Sequence, residues 1–487
     1  MSPMAIIESL QRSGVATGSL CLDSRRVRRG DVFVALPGAR SDGREFVGDA
    51  ISRGAAAVLY EADVNPTADL PVPSLAIKGL ARQLGGIAHL VYGRPSEKMQ
   101  VIGITGTNGK TTVSKWVAHA LTRLGDRCAV MGTLGVGFPG QLKESANTTP
   151  DAIAVHSGLA GLLAQGAKAC AMEVSSIGLD QGRVNGVLFN TAVFTNLTRD
   201  HLDYHVDMAA YAAAKAELFA MPGLKTAVIN LDDVFGLELA AMLRGRVKTI
   251  GFSMDSSING QPLVDDFVAA QALRMRETGV EFSVGNHQVT AQVIGRFNVA
   301  NLLAVHCVLK ALGFDPARSA SALSALVAPP GRLQLLGGGG SLPLVVVDYA
   351  HTPDALDKAL TALRETVLVR GGKLICVFGC GGDRDPGKRP LMGAVVERLA
   401  DKAVVTSDNP RSEPPEAIAQ QILAGMKSRP QLELDRAHAI RNAIVQANAR
   451  DVVLLAGKGH ESYQEVAGVK HPFSDIGSAS LALEHRK

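Results

Sequence analysis

The run from Gly106 to Thr112 is the segment of this chain best suited to hold phosphate. Glycines let backbone N–H groups close around phosphate oxygens, and the N-terminus of the following helix favours negative charge. We expect Lys110 to reach the β- and γ-phosphates of ATP and the Thr111 hydroxyl to bind Mg²⁺. The common spacing of such loops places a glycine where this chain has Ile104, so the loop is a variant. All seven residues are candidate ATP contacts: Gly106, Thr107, Asn108, Gly109, Lys110, Thr111 and Thr112.

Three further residues have side chains suited to phosphoryl chemistry, and each also has a plainer explanation. Glu173 lies at the end of an apolar run, where a carboxylate must be paired in the core or bound to a cation. His201 alone is more often structural than metal-ligating. Lys215 lies in a helical pattern and, on that basis, is a solvated surface lysine. Residue type alone leaves these alternatives open.

Alternating strands and helices must position these side chains, and such alternation is typical of a doubly wound parallel sheet. The phosphate-binding run follows a predicted strand at 101–105 and opens a predicted helix, Lys110–Leu124, whose apolar residues repeat every 3.6 positions. The other main predictions for this region and the last third of the chain are strands over 169–174, 191–195, 226–230, 344–348, 373–378, 403–406 and 452–456, and a helix over 298–312.

Length and pattern together predict an α/β protein of three domains. Residues 1–95 form a small α/β domain with short strands, and residues 96–330 form the central parallel-sheet domain with the phosphate loop. After a proline–glycine break, residues 331–487 form a Rossmann-like domain. The first turn of that domain has no G-x-G-x-x-G, so a dinucleotide is not expected there.

Composition excludes several classes of protein. The 487 residues carry a formal charge of +4 and no dense basic stripe with stacking aromatics, so nucleic-acid binding is not expected. No apolar run is long enough to cross a membrane, and the N-terminus does not resemble a signal peptide. The six cysteines are scattered, which predicts free thiols in a reducing compartment. We therefore expect a cytoplasmic protein.

Five motifs, in order, resemble those of the Mur ligase family, and the resemblance spans nearly the whole chain. Within the family it is closest to the MurE type; the related folylpolyglutamate synthases share the loop. The motifs are Gly103-Ile-Thr-Gly-Thr-Asn-Gly-Lys-Thr-Thr112, Asn147-Thr-Thr-Pro150, Glu173-Val-Ser-Ser176, Thr195-Asn-Leu197 with Asp200-His-Leu-Asp-Tyr-His205, and Asp348-Tyr-Ala-His-Thr-Pro353.

The resemblance implies that ATP phosphorylates a substrate carboxylate to an acyl phosphate, which an amine then attacks. A carboxylate is a poor electrophile, so the phosphate supplies a leaving group, while metal and lysine offset its charge. By resemblance, Lys110, Glu173, His201 and Lys215 are catalytic, and Thr111, Glu173, His201 and Lys215, the last as a carbamate, hold Mg²⁺. The remaining ATP contacts implied are Asn298 and Asn301 near adenine, and Arg332 and Asp348 at phosphate and ribose.

The resemblance also implies a UDP-N-acetylmuramoyl-dipeptide site. Its residues would be Leu22, Ser24, Asn147, Thr148, Thr149, Ser175, Gln181 and Arg183. The Asn-Thr-Thr-Pro run could instead be an ordinary turn and helix cap. Many relatives have His-Gln-Ala where this chain has Ala39-Arg40-Ser41, and Arg40 is equally compatible with a diphosphate contact and a solvated loop.

The third region carries residues that would select the incoming amine. Asp408-Asn409-Pro410-Arg411 is identical to the motif of relatives that add meso-diaminopimelate, whereas four such residues alone would indicate only a turn. Diaminopimelate has a carboxylate at its far end that a guanidinium can clamp, and lysine has only an ammonium there. The implied contacts are Arg384, Asp408, Asn409, Pro410, Arg411, Gly457 and Glu461.

The resemblance implies a ligase that adds meso-diaminopimelate to UDP-N-acetylmuramoyl-L-alanyl-D-glutamate in peptidoglycan precursor synthesis, and we expect it to be a monomer. A folylpolyglutamate synthase is the rival enzyme, but it lacks Asp-Asn-Pro-Arg and the UDP-binding motif that Leu22-Asp23-Ser24-Arg25, in residues 1–95, resembles. A regulatory nucleotide-binding module is the rival of another class, and the presence of Lys110, Glu173, His201 and Lys215 argues against it.

Overall fold

The computed structural model describes residues 1–38, 41–62, 70–145, 147–258 and 263–486. They form two compact units, one of residues 1–253, 257–268 and 303–315, the other of residues 254–256, 269–302 and 316–487. The α-helices described are α1 Pro3–Arg12, α2 Val47–Ser52, α3 Leu80–Val91, α4 Lys110–Leu124, α5 Ala152–Ala164, α6 Ser176–Asp180, α7 Leu202–His205, α8 Met208–Ala216, α9 Val234–Leu243, α10 Arg296–Ala311, α11 Pro316–Ser324, α12 Pro353–Arg370, α13 Lys388–Leu399, α14 Pro415–Leu423, α15 Arg436–Gln446 and α16 Asp475–Glu484.

The first unit begins with a small parallel sheet in the order β1-β2-β3-β4. Its strands are β1 Leu20–Cys21, β2 Val32–Ala35, β3 Ala57–Glu61 and β4 Ser74–Ile77. Helices α1 and α3 pack together against this sheet, with Ile6, Leu10, Leu84 and Ile87 in the shared core. The sheet therefore has the short strands expected for the first region.

The same unit contains a nine-stranded sheet in the order β13-β12-β11-β10-β5-β9-β6-β7-β8. The strands from β12 to β6 in that order pair in parallel, and β7 and β8 add antiparallel at one edge. Neighbouring strands β5, β9, β10 and β6 thus end at one edge, where ligands bind in such sheets. The strands are β5 Gln100–Thr105, β6 Cys128–Gly132, β7 Gly135–Phe138, β8 Gln141–Lys143, β9 Ala169–Glu173, β10 Thr191–Phe194, β11 Thr226–Asn230, β12 Lys248–Ser253 and β13 Asp266–Ala269.

The second unit is built on a six-stranded sheet in the order β17-β18-β22-β19-β20-β21. Only β17 runs antiparallel to its neighbour, so β18, β22, β19 and β20 also end at a common edge. A three-stranded antiparallel sheet and a two-stranded hairpin complete this unit. The strands are β14 Gln271–Arg276, β15 Gly279–Val284, β16 His287–Ala291, β17 Gln334–Gly337, β18 Leu344–Asp348, β19 Leu374–Phe378, β20 Lys402–Val405, β21 Gln431–Leu432, β22 Val452–Ala456, β23 Tyr463–Val466 and β24 Val469–Pro472.

The predicted parallel strands agree with the structure to within one or two residues at each end. The helix Lys110–Leu124 and the strands Thr226–Asn230, Leu344–Asp348 and Val452–Ala456 match at both ends. The antiparallel strands β7, β8, β14 to β17, β23 and β24 were not predicted. All six cysteines are free thiols, as predicted, and all but Cys21 are buried. Within the described ranges, none of the helices has the length and apolarity to cross a bilayer.

Candidate functional site

The phosphate loop joins β5 to α4 and is held against the segment that follows β10. Gly106 adopts φ 145°, and a Cβ there would lie 1.9 Å from Thr195 Oγ1, so the position requires glycine. Thr107 N donates to Asn196 O at 2.8 Å, and Thr195 Oγ1 donates to Asn108 O at 2.6 Å. The loop is therefore shaped by contacts to a neighbouring strand end as well as by its own glycines.

The Lys110 side chain folds back over this loop. Its Nζ donates to Gly106 O at 2.8 Å and to Thr107 O at 2.9 Å. Gly109 precedes the helix with φ 87°, and Thr112 is buried in the first turn of α4. The ammonium thus already lies beside the backbone groups that would surround a phosphate.

Glu173 is a buried carboxylate at the end of β9, with partners from two other elements. Thr111 Oγ1 donates to Oε2 at 2.8 Å, and Thr133 donates to Oε1 through N at 2.9 Å and to Oε2 through Oγ1 at 3.1 Å. Thr133 Oγ1 also lies 3.0 Å from Thr148 Oγ1. Burial raises the pKa of Glu173, and the bond from Thr111 and the charge of Lys110 oppose that rise.

Lys215 lies inside the protein, so the surface alternative is wrong. The residue is 1% exposed on α8, and its Nζ lies 4.3 Å from the centre of the Tyr211 ring. Burial, with a smaller effect of Lys110, lowers its pKa to about 6. Tyr211 OH is 3.1 Å from Thr107 Oγ1, which connects this helix to the phosphate loop.

His201 is half-exposed and has the left-handed backbone conformation, φ 52°. Its Nε2 lies 3.7 Å from Asp200 Oδ2, and its ring centre lies 6.3 Å from that of Tyr211. Tyr211 therefore borders both His201 and Lys215. In the part of the chain that the structure describes, no three His, Cys, Asp or Glu side chains are grouped as a metal site of those residues would require.

Four of the predicted substrate contacts, Thr149, Ser175, Gln181 and Arg183, form one hydrogen-bonded group beside Glu173. Thr149 Oγ1 donates to Glu173 O at 2.9 Å and accepts from Ser175 N at 2.9 Å. Arg183 donates to Thr149 O at 2.8 Å and to Gln181 Oε1 at 2.7 Å. Ser175 also caps α6, since its Oγ accepts from a backbone N–H three residues on. The helix after the Asn-Thr-Thr-Pro run is capped by Asp151, not by a residue of the run, whereas Thr149 belongs to this polar group.

The other predicted contacts to the UDP-linked substrate are less connected. Asn147 is exposed, Leu22 packs partly against the core of the first sheet, and Ser24 is buried. Ala39 and Arg40 lie outside the described residues.

In the second unit, Asp348 lies at the end of β18. It accepts from Leu333 N at 2.8 Å and from Ala350 N at 2.9 Å, and burial raises its pKa. The Arg332 guanidinium lies over the Tyr349 ring at 5.4 Å. Asn301 Nδ2 donates to Asn298 Oδ1 at 3.1 Å, and both side chains are buried on α10.

Asp408 and its neighbours lie where β20, β22 and β19 end. A Cβ at Gly457 would approach Asp408 Oδ2 to 2.4 Å, so a side chain there would displace the carboxylate. Burial raises the pKa of Asp408, against the charges of Arg436 and Lys458. Asp475 binds Arg436 through both oxygens at 2.7 Å, and that ion pair is completely buried.

Glu461 and Asn409 share a buried lysine. Lys458 Nζ donates to Glu461 Oε2 and to Asn409 Oδ1, both at 2.9 Å, and Asn409 Nδ2 donates to Glu461 Oε2 at 2.9 Å. Burial would raise the pKa of Glu461, but these hydrogen bonds lower it below the ordinary value. Glu461 is therefore held as an anion, as a contact to an ammonium group would require.

Arg411 follows the buried Pro410 and has φ 51°. Its Nη1 donates to Gly382 O at 2.8 Å, which connects the motif to the loop containing Arg384. Arg384 itself is exposed. Gly382 N also donates to Asn409 O at 2.9 Å. The structure thus brings together the predicted residues of this region other than Arg384, which lies in the adjoining loop.

Sequence reasoning missed Thr133, Tyr211 and Lys458 as members of these groups. Thr133 directly follows β6, and the carboxyl end of a parallel strand is a general signal for a site. Tyr211 precedes Lys215 by one helical turn, so the two share a face. Lys458 lies in the same run as Gly457 and Glu461, and charge alone did not indicate that it would be buried.

Comparison with known proteins gives matches along most of the chain. The family profiles for the Mur ligase family catalytic domain, the Mur ligase middle domain and the Mur ligase glutamate ligase domain match residues 18–91, 104–309 and 331–459. The chain is 52% identical over 475 residues to the UDP-N-acetylmuramoyl-L-alanyl-D-glutamate–2,6-diaminopimelate ligase of Pseudomonas aeruginosa, covering 95% of this chain and 94% of the relative.

Solved structures give the same result. A structure of a UDP-N-acetylmuramoyl-L-alanyl-D-glutamate–2,6-diaminopimelate ligase aligns with TM-score 0.72 and 36% identity, over 96% of this chain and 95% of that one. MurF ligase from Thermotoga maritima in complex with ADP aligns with TM-score 0.59 and 20% identity, over 97% and 99%, a likeness of fold. The chain has the three-domain fold of these ligases, and it belongs to the Mur ligase family.

Proposed function

We propose that this chain is an ATP-dependent ligase that adds meso-2,6-diaminopimelate to UDP-N-acetylmuramoyl-L-alanyl-D-glutamate through an acyl phosphate. The observation that carries the proposal is the 52% identity to a diaminopimelate-adding ligase over 95% of this chain. The enzyme would act on small molecules in the cytoplasm, as a monomer, with domain boundaries at residues 95 and 330. Three domains in one chain suit a reaction with three substrates, which are ATP, the UDP-linked dipeptide and diaminopimelate.

ATP would bind at the Gly106–Thr112 loop. Backbone N–H groups and the N-terminus of α4 would face the phosphates, and Lys110 would exchange its bonds to the carbonyls of Gly106 and Thr107 for bonds to them. Asn298, Asn301, Arg332 and Asp348 remain proposed contacts to the nucleoside and phosphate. The substrate carboxylate attacks the γ-phosphorus, ADP leaves, and an acyl phosphate forms.

Mg²⁺ is the metal that these side chains fit. The Thr111 hydroxyl and the Glu173 carboxylate supply hard oxygen donors 2.8 Å apart, and His201 and a Lys215 carbamate are the other proposed ligands. The low pKa of Lys215, about 6, supports the carbamate, because only the neutral amine reacts with CO₂. Bound Mg²⁺ would offset the charge of the transferring phosphoryl group.

The incoming amine would be selected by the second unit. The far carboxylate of diaminopimelate would pair with Arg411, and the adjacent ammonium would lie near Glu461 and Gly457. Arg384 and the Asp408–Pro410 run would complete the site. The near amine then attacks the acyl carbon, loses a proton, and phosphate leaves from the tetrahedral intermediate.

The test is phosphate release by the full chain with UDP-N-acetylmuramoyl-L-alanyl-D-glutamate, ATP and Mg²⁺. We expect release that depends on meso-diaminopimelate and is far slower with L-lysine. Equal rates, or faster release with L-lysine, would contradict the amine assignment. Nucleotide binding without substrate-dependent release would instead favour a regulatory module, and release with a folate would favour a folylpolyglutamate synthase.

A further inference from the structure

The β23–β24 hairpin lies against the Asp408–Arg411 motif and fixes its last residue by backbone bonds. Arg411 N donates to Glu465 O at 3.0 Å, and Ala467 N donates to Arg411 O at 2.7 Å. Glu465 N also donates to Asn409 Oδ1 at 3.0 Å. These contacts hold Arg411 in a left-handed conformation that a non-glycine residue rarely adopts without support from its surroundings.

The same hairpin residue also reaches the Arg411 side chain. Arg411 Nε lies 3.4 Å from Glu465 Oε2, while Nη1 donates to Gly382 O at 2.8 Å. The two side chains are 20% and 24% exposed, so the pair is neither sealed in the core nor free in solvent. Within the described ranges, Arg411 Nη2 makes no hydrogen bond. Two partners thus contact the guanidinium, Glu465 at Nε and Gly382 O at Nη1, and set its orientation.

We infer that Glu465 is a positioning residue that orients Arg411 to receive the far carboxylate of the incoming diamino acid. The inference rests on the proposed function and adds to it a residue on a different element. Bidentate recognition of a carboxylate uses two adjacent guanidinium nitrogens in one plane. Glu465 at Nε and Gly382 O at Nη1 fix that plane before the ligand arrives, which lowers the ordering cost of binding, and Nη2 with the second hydrogen of Nη1 would pair with the carboxylate.

The opposite role would be competition, in which Glu465 occupies Arg411 until the ligand displaces it. The two roles predict opposite signs. Removing the charge of Glu465 weakens diaminopimelate binding if Glu465 positions Arg411. The same change strengthens binding if Glu465 competes with the ligand for the guanidinium.

The test is Glu465→Gln in the full chain, with Glu416→Gln as the matched control, because Glu416 is an exposed glutamate on α14. We expect KM for meso-diaminopimelate to rise about fivefold, the size expected for a partly exposed ion pair. The kcat at saturating diaminopimelate and the KM for ATP stay unchanged, as do all constants of the control. An unchanged or lowered KM overturns the inference.

L-Lysine separates positioning from a general structural effect, because it has no far carboxylate. The slow reaction with L-lysine keeps its kcat/KM in Glu465→Gln; a fall equal to that for diaminopimelate overturns the inference. In an Arg411→Ala background, Glu465→Gln has no further effect on KM, and an additive effect also overturns it. If Glu465→Gln does not fold, Glu465→Asp replaces it, because it keeps the charge on a shorter side chain. A smaller rise in KM for meso-diaminopimelate is then expected, and an unchanged KM again overturns the inference.

Failure of this inference is distinct from failure of the proposed function. Wild-type turnover with meso-diaminopimelate, together with an unaltered KM in Glu465→Gln, removes only the role of Glu465. Absence of wild-type turnover with meso-diaminopimelate removes the proposed function and the inference together.

Discussion

Lys215 should be carbamylated in the active protein, because burial keeps its amine in the neutral form that reacts with CO₂. With a pKa of about 6 in place of the ordinary 10.5, about 97% of the amine is neutral at pH 7.5, against about 0.1% for an ordinary lysine. The structure therefore raises the reactive fraction about a thousandfold. The nearby Lys110 contributes to the lowered pKa and would stabilise the carbamate anion once formed.

The pH dependence follows from the sign of this shift. A lowered pKa means that the amine stays neutral above pH 6 and gains a proton as the pH falls through about 6. Carbamate content and ligase rate should fall together over that range. If Lys215 had its ordinary pKa, both would instead rise steeply only as the pH approached 10.5.

The assay uses full-length protein in ¹³C-bicarbonate, followed by ¹³C NMR for a protein-bound carbamate carbon, with phosphate release measured in parallel. Lys215→Ala should lose the signal and most of the rate, while Lys225→Ala, at an exposed lysine, should lose neither. A bare amine in bicarbonate, combined with full activity of Lys215→Ala, would refute the reasoning.

Three further changes test the two units separately. Gly132→Ala places a Cβ 2.1 Å from Glu173 Oε1, which should displace the carboxylate. We expect kcat/KM, measured by phosphate release, to fall about tenfold or more, and wild-type kinetics would count against the role of Glu173. Arg411→Lys keeps the charge but loses the planar guanidinium, so KM for meso-diaminopimelate should rise about tenfold while KM for ATP does not. A KM for meso-diaminopimelate equal to that of the wild type would contradict the role of Arg411 in binding the far carboxylate. Asp475→Asn removes the carboxylate that binds the buried Arg436 through both oxygens and should cost about 3 kcal/mol in denaturant unfolding of the second unit. An unchanged midpoint would contradict that.

The central sheet could be predicted because its signals are local. A strand, a glycine turn and an amphipathic helix follow one another along the chain, so Lys110–Leu124 agreed with the structure at both ends. The β23–β24 hairpin could not be found in the same way. Its strands are short and half-exposed or exposed, and the alternation that marks a strand with one buried face is absent.

The burial of Lys215 depends on packing that one helix does not encode. Helix α8 is rich in alanine, so the faces that turn inward and outward are not distinguished by hydrophobic residues. Helix α8 packs against α6 and α7, and Tyr211, on the Lys215 face, contacts Thr107 more than a hundred residues away. The sequence pattern alone therefore favoured the surface alternative, and only the family resemblance indicated a site.

Both units show why residues of unremarkable type meet at a site. Parallel strands that are distant in sequence end side by side, so β5, β9 and β6 bring Thr111, Glu173 and Thr133 together. Each of these side chains alone suits a cap, a core pair or a turn. The order of the strands in the sheet brings them to one place, where they can form a ligand site. Arg411 and Glu465 follow the same logic on a smaller scale, since a hairpin 54 residues downstream supplies the carboxylate. Motif residues such as Arg411 can therefore be read from the sequence, whereas the residues that orient them have to be read from the fold.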